Sequence, residues 1–409
     1  MKTIAGDARR NFMVGASAAA VGVALGKGVA HAQTAPTYAG VFVNVRDFGA
    51  MAQPNVDDGP AFRAAVAKAK AAGGGVVLVP PGIYRINTQV VLDAVVALEG
   101  VGVHPGVPWS PNNGSVLNFG TNTPIKVTGR GASVRNLAFV ADQPEFGAGW
   151  APTNTNGNYA LSVECDDVLV QDVVLFNTTL GISVMAPNAG GSVGRVILDR
   201  IFGQPLSVGI RIDRALDSIT VSNVHFWQYW TTDGTVTDYQ SGNATGILSL
   251  RNDNPFFDNI FCLGVSRAIH FGSSPDGCTS KFHLSNLDLD YCGTGIYIDG
   301  NGVTGQASNV SIQGTTGKPQ GILIGSNDVR FQCTNLNVRD YAGNGVRVGG
   351  MNSWASFENI WVSNWNTSRQ TFPAVEAAHS TAKVWLGNAR WFENGHGAGD
   401  YGGVGQVIV

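Results

Sequence analysis

A short phrase returns seven times between Gly181 and Gly350: a small residue, Ile or Val, any residue, then another residue that is usually apolar. It reads Gly181-Ile182-Ser183-Val184, Gly209-Ile210-Arg211-Ile212, Gly246-Ile247-Leu248-Ser249 and Ala268-Ile269-His270-Phe271. It then reads Gly295-Ile296-Tyr297-Ile298, Gly321-Ile322-Leu323-Ile324 and Gly345-Val346-Arg347-Val348. The spacing runs from 22 residues (Gly246 to Ala268) to 37 (Gly209 to Gly246). A repeat of this length means a stacked architecture in which each unit buries its apolar face against its neighbours. A second phrase lies inside each period, an Asn followed by an alternating strand, as at Asn223, Asn259, Asn286, Asn335 and Asn359. Each period therefore holds about three short strands and no helical pattern. One Asn per period at a turn predicts a ladder of side-chain amides bonded from coil to coil. Three strands per coil, stacked coil on coil, is a parallel β-helix, an all-β solenoid.

Composition agrees. Of 409 residues 54 are Gly and only 13% are charged, which suits buried strands and tight turns. The net charge of −3, with no basic run, argues against a nucleic-acid partner. Residues 1–32 read as an export signal: Arg9-Arg10-Asn11-Phe12, an uncharged run from Val14 to Gly26, and Ala30-His31-Ala32 as a cleavage site. The Arg pair with Phe two residues on resembles a twin-arginine signal. The apolar run is too short for a transmembrane span, so the expected location is periplasmic or secreted, with the mature chain (33–409) starting near Gln33. The five cysteines show no metal-type spacing and read as small interior residues.

The N-terminal segment is the most distinctive. Asn44-Val45-Arg46-Asp47-Phe48-Gly49-Ala50 ends a strand, and Asp57-Asp58-Gly59-Pro60 starts a helix whose apolar stripe is Phe62, Ala65, Val66 and Ala69. Gly73-Gly74-Gly75 stops it, and Val79-Pro80-Pro81-Gly82-Ile83-Tyr84 turns between strands. Such a helix can cover the open end of a solenoid. This run, about 43–86, closely resembles the cap and first coil of the pectate-lyase-like superfamily, in its rhamnogalacturonase- and epimerase-like branch. With the repeats, the resemblance extends to about residue 390, leaving a Gly-rich tail at 395–409 expected to peel off or pack at a subunit contact. It implies a right-handed parallel β-helix with a short N-terminal capping α-helix, and a homotrimer as a candidate assembly. For function it implies an exported enzyme that cleaves or remodels a polysaccharide or oligosaccharide along a surface groove. A non-catalytic glycan- or surface-binding β-helix is the alternative from a different class.

Side-chain direction places that groove. Where Ile alternates inward, the residue between and the one two further on face out. The outward column then carries Arg211, Asp213, His270, Tyr297 and Asp299 within about 20 Å. The longest period inserts Trp227-Gln228-Tyr229-Trp230-Thr231-Thr232-Asp233 beside it. Trp227, Tyr229, Trp230 and Asp233 are thus the expected substrate-binding wall, and the Trp-bearing loops 106–114 and 147–152 offer further exposed rings. Glycoside hydrolysis needs carboxylates about 5–9.5 Å apart, whereas Asp213 and Asp299 are three coils, roughly 14 Å, apart. β-Elimination from a uronate needs a base, an acid and a cation on the carboxylate. His270, Tyr297 and Arg211 supply those three, so β-elimination is favoured and hydrolysis on the same groove is the alternative. The Asp cluster of calcium-dependent pectate lyases is missing: no metal or other cofactor is evident, and calcium is not indicated.

Overall fold

The computed structural model describes residues 41–102, 114–155, 157–188, 190–315, 317–392 and 399–409. Within them the strands form two large sheets, one of 17 strands and one of 12, in which every pairing is parallel. A coil contributes one long strand to the first sheet, such as Ala215–Phe226 or Trp354–Ser363, and one short strand to the second, such as Val208–Asp213 or Thr294–Ile298. Each coil thus stacks on the one before it, as in a parallel β-helix.

The long strand is bent, and the bend explains the Asn phrase. The backbone turns left-handed at Asn223, Asn259, Asn286, Asn309, Asn335, Asn359 and Asn388, with φ between 47° and 55°. Asn accepts this conformation at lower cost than most residues. The register aligns these positions strand to strand. Amides then bond along the axis: Asn309 donates to Asn286 at 3.1 Å, Asn335 to Asn309 at 2.9 Å and Asn388 to Asn359 at 2.6 Å. The same bend continues at Asn136, Asp172 and Arg200, where the ladder becomes an ion pair of Arg200 with Asp172. Each long strand is therefore two runs joined at one residue, which with the short strand makes three per coil.

Inward side chains fill the coil. Phe257, Phe271, Phe282 and Phe331 are all at most 1% exposed, and the Phe271 and Phe282 rings stack 4.1 Å apart. Cys262, Cys292 and Cys333 are buried here, and all five thiols are unpaired. Helix α1 (Gly59–Ala71) buries Phe62, Ala65, Val66 and Ala69 over the first coil. The acidic pair before it ties loops together. Asp57 accepts from Gly59 N at 3.0 Å and Asn87 N at 3.0 Å, while Asp58 accepts from Met51 N at 2.7 Å and Ala52 N at 3.2 Å. No helix among the described residues is long and apolar enough to cross a membrane.

Three expectations need correction. A second helix, α2 (Gly234–Asn243), occupies the 37-residue period. Its sequence has no apolar stripe, so periodicity does not reveal it; Asp233 starts it by accepting from Thr235 N at 2.9 Å. The C-terminal segment does not peel away: Tyr401–Gly403 pairs with Val375–Ala377 and Gln406–Ile408 with Lys383–Gly387, adding another coil. Trp150 is 8% exposed rather than presented to solvent, packed edge-on to Phe146 and Tyr239. The export signal, Trp109 and the start of the Gly-rich tail lie outside the described residues.

Candidate functional site

The outer face of the short-strand sheet carries one column of side chains set by register. It runs Lys126, Ser162, Ser183, Arg211, Leu248, His270, Tyr297, Leu323, Arg347 and Glu376. Neighbouring strands are about 4.8 Å apart. The polar members fall into three groups separated by Leu248 and Leu323, the last being the Arg347–Glu376 ion pair at 2.8 Å.

The first group surrounds a cavity of about 260 Å³, to which Lys126, Tyr159, Ser162, Glu164 and Arg211 contribute. Lys126 Nζ lies 2.8 Å from Glu164 Oε2, and Ser162 Oγ donates to Glu164 Oε1 at 3.1 Å. Burial pushes the Tyr159 phenol up, against the charge of Arg211 and a hydrogen bond with it, so it is protonated at neutral pH. Arg211 also donates from Nη2 to Asp213 at 3.1 Å, while its Nε is buried with no hydrogen-bond partner among the described residues. Asp213 is not available as an open carboxylate. It is 3% exposed, and its two oxygens accept from Arg211 and from Arg251 N at 3.3 Å.

The second group is built on Asp299. His270 Nε2 lies 2.8 Å from Asp299 Oδ1, and the Tyr297 hydroxyl also hydrogen-bonds that carboxylate. Burial alone would raise the Asp299 carboxyl, but the bonds from His270 and Tyr297, with the His270 and Arg267 charges, hold it below its ordinary value. An ionised carboxylate only accepts, so Nε2 carries the proton and Nδ1 points away from the pair. Burial first, and then the Asp299 charge, push the Tyr297 phenol up. The His270 and Tyr297 rings are 4.8 Å apart, and the Arg267 guanidinium lies 5.0 Å from the Tyr297 ring centre. Gly272 and Gly325 flank Asp299 in its column, which leaves the carboxylate accessible. Tyr297, Arg267 and Lys318 border a neighbouring cavity of about 410 Å³.

His270, Tyr297 and Asp299 thus come together, but Arg211 does not join them. It lies two strands, about 10 Å, from His270 and belongs to the first group. The aromatic insertion is not the wall of this groove. Trp227 stacks on His225 and Phe261 of the long-strand sheet, Tyr229 bonds His225 Nδ1 at 2.6 Å, and Trp230 packs against Phe146 and Trp150. These rings anchor the insertion, and Asp233 caps α2. It is the far end of α2, at Ser241 and Gly242, that borders the cavity beside Tyr297, where Lys318 Nζ donates to Ser241 O at 3.1 Å. Sequence reasoning missed Lys126, Tyr159, Glu164, Arg267 and Lys318. Ile125-Lys126-Val127 and Leu161-Ser162-Val163 carry the apolar-x-apolar core of the repeated phrase without its usual Gly-Ile opening, and that was the available signal.

Residues 42–108 match the family described as Rhamnogalacturonase A/epimerase, pectate lyase-like. A stretch of 49 residues, 12% of this chain, is 53% identical to the mannuronan C5-epimerase AlgE3 of Azotobacter vinelandii, and it spans only 3% of that relative's length. Among solved structures, the Dettilon tailspike protein is similar with a TM-score of 0.60 at 9% identity, over 88% of this chain and 68% of the tailspike chain. The N-terminal fragment of bacteriophage Phi29 gene product 12 follows at 0.54 and 11%, over 88% and 70%. At these identities the two structural likenesses are likenesses of fold.

Proposed function

We propose that this chain, which has the pectate-lyase-like β-helix, acts on an acidic polysaccharide by removing the proton next to a uronate carboxylate. The observation that carries the reading is the cavity in which two cations, a carboxylate and a neutral phenol converge: Lys126, Arg211, Glu164 and Tyr159. A carbon-bound hydrogen beside a carboxylate becomes removable when cations neutralise that carboxylate as negative charge moves onto it. Arg211 and Lys126 supply the cations. Glu164 accepts the proton, and the Tyr159 phenol is the donor. If Tyr159 delivers its proton to the departing glycosidic oxygen, the chain is cut and an unsaturated uronate remains. If the carbanion instead takes a proton on its opposite face, the sugar is epimerised and the chain stays intact. The match to an epimerase-containing family and the short identity to a mannuronan C5-epimerase support this class of first step. Elimination is the outcome we favour.

A second reading rests on His270 and Asp299. Their hydrogen-bonded pair, with Nδ1 free, is an oriented base with Tyr297 beside it as the acid. In that case the reaction takes place there and the Lys126–Arg211 cavity binds a neighbouring uronate.

The test is incubation with a panel of polyuronates in deuterated water. Deuterium gained at the carbon beside the carboxylate reports proton removal followed by reprotonation, and ultraviolet absorbance reports the unsaturated product of elimination. Glu164→Gln is expected to lower both, and Tyr159→Phe the ultraviolet signal, by about 10²-fold or more, as about 10²–10⁴ attaches to a general acid or base. Loss with His270→Gln but not with Tyr159→Phe selects the second reading. New reducing ends with neither signal would mean hydrolysis and sink both. Export is part of the proposal: replacing Arg9 and Arg10 by Lys should trap the unprocessed chain in the cytoplasm.

A further inference from the structure

The long-strand sheet has its own trough, on the face turned away from the core and before the Asn bend. Register lines up Phe256, His283, Gln306, Gln332, Ser356 and Trp385 across six consecutive strands. Two cavities of about 300 and 430 Å³ share His283, Gln306 and Gln332. This column contains no carboxylate, lysine or arginine, in contrast to the short-strand face. Its ends are rings: Phe256, 42% exposed, lies flat on His283 with ring centres 4.6 Å apart, and Trp385 is 36% exposed. Its middle is amides. Gln306 Nε2 bonds His283 Nδ1 at 3.0 Å, which leaves the Gln306 carbonyl free to accept. Gln332 is exposed and makes no side-chain hydrogen bond to any described residue. The hydroxyls of Ser308 and Thr334 line one side. On the other, Arg330 lies over the Trp354 ring at 5.4 Å and gives its Nη1 hydrogens to Val329 O at 2.9 Å and Asn352 O at 2.6 Å, so its charge is turned to the backbone, and the exposed Lys281 stands at the rim rather than in the column of the floor.

We propose that this trough is a second carbohydrate site, one that binds a neutral saccharide chain without reacting with it. Flat rings match the apolar faces of sugar rings, and amides and hydroxyls that both donate and accept match sugar hydroxyls. A site for an acidic chain would present cations along the floor, as the short-strand face does. A face that packs against another copy would present a continuous apolar centre, whereas here the centre is glutamine and the rings are at the ends. The inference does not depend on which reaction the other face performs.

The experiment is calorimetric titration of the whole protein with cello-, manno-, xylo- and malto-oligosaccharides, with tryptophan fluorescence as a second readout through Trp354 and Trp385. At least one series is expected to bind saturably. Phe256→Ala and Gln332→Ala should each weaken it about tenfold, with circular dichroism and thermal midpoints checking that the variants fold. Absence of binding by all four series overturns the proposal. So does an oligomer in sedimentation that Gln332→Arg dissociates, since the trough is then buried between copies.

Discussion

Asn309 lets the two contributions of the Asn ladder be separated. It stands in the middle of the ladder with φ 55°, donates to Asn286 at 3.1 Å and accepts from Asn335 at 2.9 Å. Asn309→Ala removes both amide bonds and leaves an alanine in left-handed backbone. A net hydrogen bond contributes about 0.5–1.5 kcal/mol, and the exposure of these amides puts them at the lower end. The left-handed conformation costs an L-residue with no local hydrogen-bonding group about 1–2 kcal/mol. The expected loss is therefore about 2–4 kcal/mol. Asn309→Gly loses the same two bonds but relieves the backbone, offset in part by the roughly 0.5–1 kcal/mol of extra chain entropy that glycine gives up. Glycine should thus be better than alanine by about 1 kcal/mol. Urea unfolding followed by circular dichroism gives the comparison. Because a solenoid can open coil by coil, hydrogen exchange at Val310 and Leu336 should show the same order locally. An alanine variant as stable as the glycine variant would refute the argument that left-handed backbone selects Asn here. Two variants indistinguishable from wild type would refute the ladder's contribution altogether.

Three further outcomes follow from the same structure. Phe271→Ala removes a fully buried ring from the interior stack with Phe282, and thermal or urea unfolding should show a loss of about 3–5 kcal/mol. The Asp299 carboxyl is held below its ordinary value of 3.8, so its contribution to stability is present above that value and is lost as pH falls through the folded-state value. The stability gap between wild type and Asp299→Asn should therefore be open at neutral pH and close on acidification below 3.8, read from thermal midpoints across the range. Burial pushes the Cys292 and Cys333 thiols up to about 12 and Cys165 to about 11, and raises Cys262 and Cys278 as well. A colorimetric thiol reagent at pH 8 should accordingly react slowly with the native protein and release all five equivalents only on unfolding.

The fold was legible because its signals are local and repeated. Gly-Ile-x-Ile and its variants mark the seven short strands between Leu180 and Val348, and Asn223, Asn259, Asn286, Asn335 and Asn359 mark five of the bends, so stacking follows from counting. The ladder also runs through Asn309 and Asn388, and back to Asn136, Asp172 and Arg200. The last two escape a search for Asn because the bend needs a left-handed residue, and an Arg–Asp pair meets the bonding requirement in another way. Helix α2 escaped for the opposite reason. It is held by its ends and by buried Val236 and Gln240 rather than by an apolar stripe, so no period announces it.

The candidate site was legible in direction but not in grouping. Alternation correctly put Arg211, His270 and Tyr297 on one face, since parity along a strand is fixed by the pleat. Which of them act together depends on distance across strands and on what stands between. Leu248 occupies the strand between Arg211 and His270, so two chemistries about 10 Å apart read in sequence as one. Asp213 has outward parity too, yet the backbone of Arg251 folds over the end of its strand and Arg211 turns back onto it. Parity says which way a side chain leaves the sheet, and the turns decide whether it meets solvent. The aromatic insertion makes the same point from the other side. Trp227, Tyr229 and Trp230 are adjacent in sequence to the groove-bearing strands, but they leave the end of the long strand Ala215–Phe226 and settle on the sheet they have just left. Only in the last turn of the helix does the same insertion reach the groove, through Ser241 and Gly242. A ring-rich loop beside a polar column is thus evidence for a groove only when the chain path between them is known, and here that path spends its rings on anchorage.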